Sequence, residues 1–208
     1  MKKLATIVTL GLTLFLFMAP LSYANNGKVT HTFDLGGIEN VVINNAVGEV
    51  TLRTSSSNEA KVEVTFEVKG HGFFRRKPDV DNLDIEIWQH NSTLALSFKE
   101  NNVNAAWVIT LPAVTNIEIQ QGVGTINAVI GASHLTVDLG VGDIKVTAPL
   151  ASIGKVDVSS GVGAARISGS DKVETRRRVV TESADLRLDG EFNIDATVGV
   201  GDVEVRLR

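Results

Sequence analysis

Cysteine is absent, and proline occurs only 4 times in 208 residues. Without cysteine there is no disulfide, no thiol nucleophile, no zinc–thiolate site and no lipid carried on an N-terminal cysteine. Aromatic side chains are scarce at 5% of the chain, and Phe192 is the one Phe, Tyr or Trp that follows Trp107. A charge excess is missing too. The formal net charge of −4 leaves no concentrated basic face of the kind nucleic acid requires. No long stretch at helical spacing stands out beyond the first two dozen residues, nor does a long uncharged apolar run. What remains is 43% hydrophobic and 21% charged. That excludes a disordered, collagen-like or coiled-coil chain and supplies enough apolar surface for one large domain or two small ones.

The exception at the front is an address. Met1-Lys2-Lys3 is a short basic start, Leu4 to Met18 is apolar, and Pro20 breaks any helix. Ser22-Tyr23-Ala24 then places small residues at the two positions a signal peptidase reads. The apolar run is shorter than the ~20 residues that span a bilayer. Residues 1–24 therefore read as a signal peptide cleaved after Ala24, and the mature chain as exported and not transmembrane. Lys2 and Lys3 leave with it and no acid does, so the net charge of the remainder is −6.

That remainder reads as strands. Lys61 to Val68, Leu135 to Leu139 and Val203 to Leu207 alternate apolar and polar residues at period two, which buries one face and wets the other. Glycine, asparagine and serine clusters punctuate the runs, as turns require.

Repetition is the stronger signal. Gly122-Val123-Gly124-Thr125-Ile126 recurs as Gly140-Val141-Gly142-Asp143-Ile144, as Gly161-Val162-Gly163-Ala164-Ala165 and as Gly199-Val200-Gly201-Asp202-Val203. The first glycines lie 18, 21 and 38 residues apart. Since 38 is twice 19, a degenerate copy is expected midway, and Glu182-Ser183-Ala184-Asp185-Leu186 fits there. Ala46-Val47-Gly48-Glu49-Val50 is a further partial copy. A fixed period of this size marks a solenoid. Stacked turns are expected to place valine over valine in a narrow core that has little room for rings. The alternative from the same strands is a β-sandwich with glycine-rich hairpins. The reading adopted is an all-β, single-domain β-solenoid (β-helix-like) with a less regular N-terminal region. Residues 25–111 form an irregular β region or cap, residues 112–208 form the regular repeats starting at Pro112, and 25–208 make one continuous domain.

An exported chain, a strand ending in Leu111-Pro112 and repeated Gly-x-Gly-Asp-[Ile/Val] turns together resemble the bacterial putative-adhesin domain family, a domain of unknown function. The resemblance covers residues 38–208. It implies a β-solenoid on the exported side of a bacterial envelope, and it brings no catalytic residues. Ala164-Ala165 and Glu182-Ser183-Ala184 depart from the pattern.

The residues offer little catalytic chemistry. His31, His71, His90 and His134 lack a paired spacing, so neither a metal site nor a catalytic base follows from them. There is no Gly-x-Ser-x-Gly elbow, and the Gly-Val-Gly turns lack the helix and Lys-Ser/Thr ending of a phosphate loop. Asp143 and Asp202 share a slot, with Asp185 in the degenerate copy. A stacked row of them is a calcium candidate, but Thr125 and Ala164 interrupt it, and an aspartate capping its own turn explains it as well. Glu118, Asp138, Asp157, Glu174 and Asp195 read as acids spread along solvent faces, which argues against a sugar-cleaving β-helix enzyme.

The distinctive surface feature is His71 to Pro78, where Phe73 and Phe74 precede Arg75, Arg76 and Lys77. With Trp88, on the face opposite Ile85 and Ile87, these are the candidate surface-binding residues, suited to an anionic envelope surface, a polysaccharide or a host surface. Arg176-Arg177-Arg178 is a second basic cluster. The expected function is that of a non-enzymatic, exported adhesin or envelope scaffold without cofactor, metal or nucleic acid. It resides in the periplasm or at the cell surface, and open ends of the stack favour self-association. The alternatives are a periplasmic structural or stress-related role and a carbohydrate-active enzyme.

Overall fold

The computed structural model describes residues 27–68, 80–171, 173–178 and 181–208. The signal segment 1–24 and the loop residues Phe73, Phe74, Arg75, Arg76 and Lys77 lie outside the described residues. In chain order the strands are β1 (Lys28–Asp34), β2 (Asn40–Thr54), β3 (Glu59–Val68), β4 (Glu86–His90), β5 (Thr93–Phe98), β6 (Val103–Leu111) and β7 (Asn116–Val129). They continue as β8 (His134–Ala148), β9 (Ile153–Val162), β10 (Ala165–Ser168), β11 (Glu174–Arg178), β12 (Thr181–Arg187), β13 (Phe192–Val200) and β14 (Val203–Leu207). Among the described residues there is no α-helix. The fold is an all-β solenoid, as the repeats predict.

The long strands β2, β7 and β8 are each bent once at the Gly-x-Gly tripeptide or its Ala46 counterpart. Their first halves pair in parallel as Asn44, Gln120 and Asp138, and their second halves as Val50, Ile126 and Ile144. Each bent strand thus contributes to two faces. The first runs β4-β5-β2-β7-β8-β13-β9-β12-β11 and the second β1-β3-β6-β2-β7-β8-β14-β10. Alternate residues from both point into the space between them. Ile43, Ile119, Val137 and Ala196 are fully buried on one side, and Val50, Ile126, Ile144 and Val203 oppose them at 1% exposure or less. Burying each of these valine and isoleucine side chains contributes about 1.5–3 kcal/mol. The buried rings Phe33, Phe66, Phe98 and Trp107 all lie toward the end built from β1, β3, β5 and β6. Phe66 and Phe98 touch there, with centroids 4.6 Å apart. The middle of the stack is aliphatic, in keeping with a narrow lumen.

The structure departs from the repeat arithmetic in three ways. First, pairing runs unbroken across Pro112. Ala46-Val47-Gly48 is a full member of the stack, in register with Val123 and Gly124, and β5 with β6 forms a further coil beside β2. Second, Glu182 to Leu186 is not a coil. It belongs to β12, which runs antiparallel to β9 and, with β11, forms a hairpin over the end of the first face. Third, spatial order differs from chain order. The last repeat, β13 with β14, is inserted between β8 and β9 on the first face and between β8 and β10 on the second. The double spacing of 38 residues therefore records an excursion through the capping hairpin and back into the stack, with no missing copy.

The corner explains the glycines. At Gly142 the backbone has φ +135°, and a Cβ there would lie 1.7 Å from the Gly124 carbonyl oxygen. A Cβ on Gly140 would lie 2.5 Å from the Gly122 oxygen. Coils are stacked at the hydrogen-bonding distance of about 4.8 Å, and at the bend no side chain fits between them. Ala46 is the exception that shows the rule. Its neighbour β5 ends at Phe98, opposite Asn45, so no paired strand of the next coil lies beside it. The central valines, by contrast, face outward. Val123, Val141, Val200 and Val162 are 46–51% exposed, so valine does stack over valine, but as an external ridge. The lumen is lined by the residues flanking the tripeptide.

Candidate functional site

Residues two positions before the corner form a row across the first face. Asn44 pairs with Gln120, Gln120 with Asp138, Asp138 with Thr197 and Thr197 with Ser159. All are polar because their strand position points to solvent, while Ile43, Ile119, Val137, Ala196 and Val158 beside them fill the core. Next along the outward face come Ala46, Gly122 and Gly140, which carry little or no side chain. A shallow trough of about 670 Å³ results, with Asn44, Gln120, Asp138 and Thr197 on one bank, Ala46, Gly122 and Gly140 in its floor and Lys99 at one end. Beyond the glycines stands the valine ridge.

The bank is partly tied down. Gln120 donates to Glu118 at 2.6 Å, and the hydroxyls of Thr197 and Ser159 lie 3.1 Å apart. Asn44, Asp138 and Lys99 have no side-chain hydrogen bond or ion pair among the described residues. Below the floor Gln121 donates to the Gly48 carbonyl at 2.9 Å and Ser160 to that of Gly201 at 2.7 Å. These buried polar groups hold the bend rather than a ligand.

Beside the trough lies a more acidic surface. Asp195 pairs with Asp157, Asp157 with Asp185 and Asp185 with Glu174. The register thus gathers acids that look scattered in the sequence. Burial pushes the Asp195 carboxyl above its ordinary value, Asp157 and Asp138 add to this, and Lys155 opposes them. Lys155 bonds Asp157 at 2.5 Å, while Arg176 reaches Asp185 at 2.8 Å and Glu174 at 3.0 Å. At the corner, Asp143 accepts from the Asp202 backbone N–H at 3.2 Å and Asp202 from that of Ala164 at 2.8 Å. Each carboxylate caps the next coil rather than its own turn. Ala164, in the outermost coil, has no further coil to cap.

His71 lies outside the described residues, and the three described histidines are not brought together. His31 is buried on β1 with Nε2 2.7 Å from Asp84, His90 stacks near Trp88, and His134 accepts the Asn193 N–H at 3.1 Å. Among the described residues no group of three or more His, Asp or Glu is arranged around a metal. Trp88 stands where the alternation places it, 57% exposed on β4, with its ring 5.5 Å from that of His90. Of the trough residues, Asp138 reads from the sequence only as an acid on a solvent face, and Asn44, Gln120, Thr197 and Lys99 are not singled out there. The available signal is that every copy carries a polar residue two places before its first corner position.

The family model for Toastrack DUF4097 matches residues 38–208. No curated protein matches the chain. Among solved structures, a putative cell adhesion protein from Clostridium sporogenes is 15% identical, with 87% of this chain and 99% of that one covered and a TM-score of 0.47. A putative adhesin from Bacteroides fragilis is 11% identical, with 88% and 98% covered and a TM-score of 0.25.

Proposed function

We propose, for a chain that belongs to the Toastrack DUF4097 family, a domain family of unknown function, that it is an exported, non-enzymatic binding protein acting as an adhesin or scaffold at the cell envelope. The observation that supports this best is the trough of about 670 Å³, which crosses several coils as an open channel of amide, hydroxyl and carboxylate groups. Such a surface holds an extended partner at many weak points and encloses no small substrate. The segment 1–24 supplies the export, and the partner is an envelope polymer or a surface outside the cell. Phe73 to Lys77 and Trp88 form the second contact, toward an anionic surface.

The first test is location. Intact cells of the native host are treated with protease. Digestion of the mature chain supports adhesion, whereas protection until the envelope is opened supports a scaffold in the periplasm. Recovery of the uncleaved chain in the cytoplasm overturns both.

A carbohydrate-active enzyme is the rival reading, and Asp195 beside Asp157 is the observation in its favour, since two neighbouring carboxyls, one of which holds its proton more tightly than usual, are the start of an acid–base pair. Turnover of polysaccharide by the purified protein, abolished by Asp195→Asn, would replace the binding role.

A further inference from the structure

We propose that the trough beside the corner is a binding site for a neutral, hydroxyl-rich glycan chain lying along the stack axis. The inference rests on the envelope-binding reading and names its ligand class. Three features carry it. The trough runs across the strands from the Lys99 end of β5 to Thr197 on β13, so a ligand in it meets an equivalent position every ~4.8 Å. That suits a polymer with a short repeat. Its polar bank offers amides and hydroxyls, which donate and accept at once and match sugar hydroxyls. Its other side rises to Val123, Val141 and Val200, each close to half exposed, against which the C–H face of a sugar ring packs.

The same features select against other ligands. An extended peptide is held by adding a strand to a sheet edge, but β7 and β8, whose bends form most of the floor, are already paired with a neighbour on each side before and after the bend, so neither offers an open edge. A polyanion is disfavoured because Asp138 lines the trough and Glu118 and Asp195 flank it, with Lys99 the one cation in the lining.

The test uses the purified protein, soluble cello- and chito-oligosaccharides as neutral probes, oligogalacturonate as the polyanion and an unstructured peptide of similar length. Calorimetric titration is paired with thermal unfolding. A neutral oligosaccharide is expected to bind, and the double variant Asn44→Ala/Gln120→Ala is expected to weaken it at least about tenfold with an unchanged unfolding midpoint. Thr51→Ala/Asn127→Ala, on the second face, leaves it unaltered. Absence of binding by every neutral probe, tighter binding of oligogalacturonate or peptide, or full affinity in the Asn44/Gln120 variant each overturns the site. Cell fractionation and attachment, run on the same variants, separate the two claims. Attachment that survives the double substitution defeats the glycan site and leaves the envelope role standing. Oligosaccharide binding by a protein found uncleaved in the cytoplasm defeats the envelope role and leaves the site.

Discussion

The corner of this solenoid and its flat faces obey different physics. At the corner, successive coils meet backbone to backbone, and a Cβ on Gly124, Gly142 or Gly201 would sit 1.7–1.8 Å from a neighbouring carbonyl oxygen. On the faces, neighbouring side chains meet through hydrogen bonds and charge, as in Ser159–Thr197 at 3.1 Å, Lys28–Glu63 at 3.0 Å and Lys155–Asp157 at 2.5 Å. A steric constraint is all or nothing, whereas an electrostatic one is graded and depends on solvent. The motif is therefore repeated at the bend, while the faces vary from coil to coil. The coil of β5 and β6 sharpens the contrast. Its corner is the open loop Lys99 to Asn102, where Asn102 takes φ +63° without a glycine. This coil still crowds β2, where a Cβ on Gly48 would lie 1.9 Å from the Ala105 carbonyl oxygen, but its own turn is a loop and carries no tripeptide.

The largest effect that would break this contrast is a single methyl group at the bend. Gly142→Ala places a Cβ against Gly124 at a φ that L-residues rarely adopt, combining backbone strain with overpacking. It is expected to destabilise the fold by about 4 kcal/mol. Ala46→Gly, at the first corner position of β2, where the paired part of β5 has already ended, is expected to shift stability by less than about 1 kcal/mol. Urea unfolding followed by far-ultraviolet circular dichroism compares the two, and equal effects would show that stacking does not impose the glycines.

A smaller effect tests the polar half of the corner. Asp202→Ala removes the acceptor for the Ala164 N–H, 2.8 Å away, and leaves that donor without its partner. The expected loss is about 1 kcal/mol, with amide exchange accelerated first at Ala164. Thr125→Ala, in the same slot of another coil, is expected to change little, because Thr125 makes no comparable capping bond among the described residues. If both variants behave alike, the aspartate slot is not a cap.

Much of this was legible in the residues. Alternation predicts β3 from Val62, Val64 and Phe66 and β8 from Leu135, Val137 and Leu139, and the Gly-x-Gly turns predict bent, stacked strands. The order of the stack was not legible. Parallel pairing is made by backbone groups that every coil presents alike, and repeats such as Gly140-Val141-Gly142 and Gly199-Val200-Gly201 fit each other's neighbours equally well. Insertion of β13 and β14 beside β8 therefore leaves no mark in self-similarity. The hairpin of β11 and β12 imitates a decayed repeat because Ala184 and Leu186 alternate like any other strand. The trough had a signal, a polar residue two places ahead of each corner, but it becomes a site only when register aligns Asn44, Gln120, Asp138 and Thr197.

The gentlest predictions concern the faces, where charge replaces sterics and one carboxyl on each face should respond to pH with opposite sign. Glu63 on β3 is held below its ordinary value by the hydrogen bond from Lys28, with the charges of Lys28 and Lys61 assisting against burial. Its contribution is present above the unfolded-state value and is lost as pH falls through the folded one. Asp195 is the reverse. With its carboxyl raised by burial and by Asp157 and Asp138, the folded chain holds the proton more tightly than the unfolded chain. Its contribution is full below the unfolded-state value and disappears as pH rises through the raised folded one. Asp195→Asn is thus expected to stabilise the protein at neutral pH and to remove part of the decline in stability above about pH 4. Glu63→Gln is expected to cost no more than about 1 kcal/mol at neutral pH and to flatten the acid limb below that point. Urea midpoints measured on both variants and the parent between about pH 3 and pH 7 separate the slopes. Parallel curves for the two would mean that the acid row on the first face is screened by solvent as fully as the ion pairs on the second.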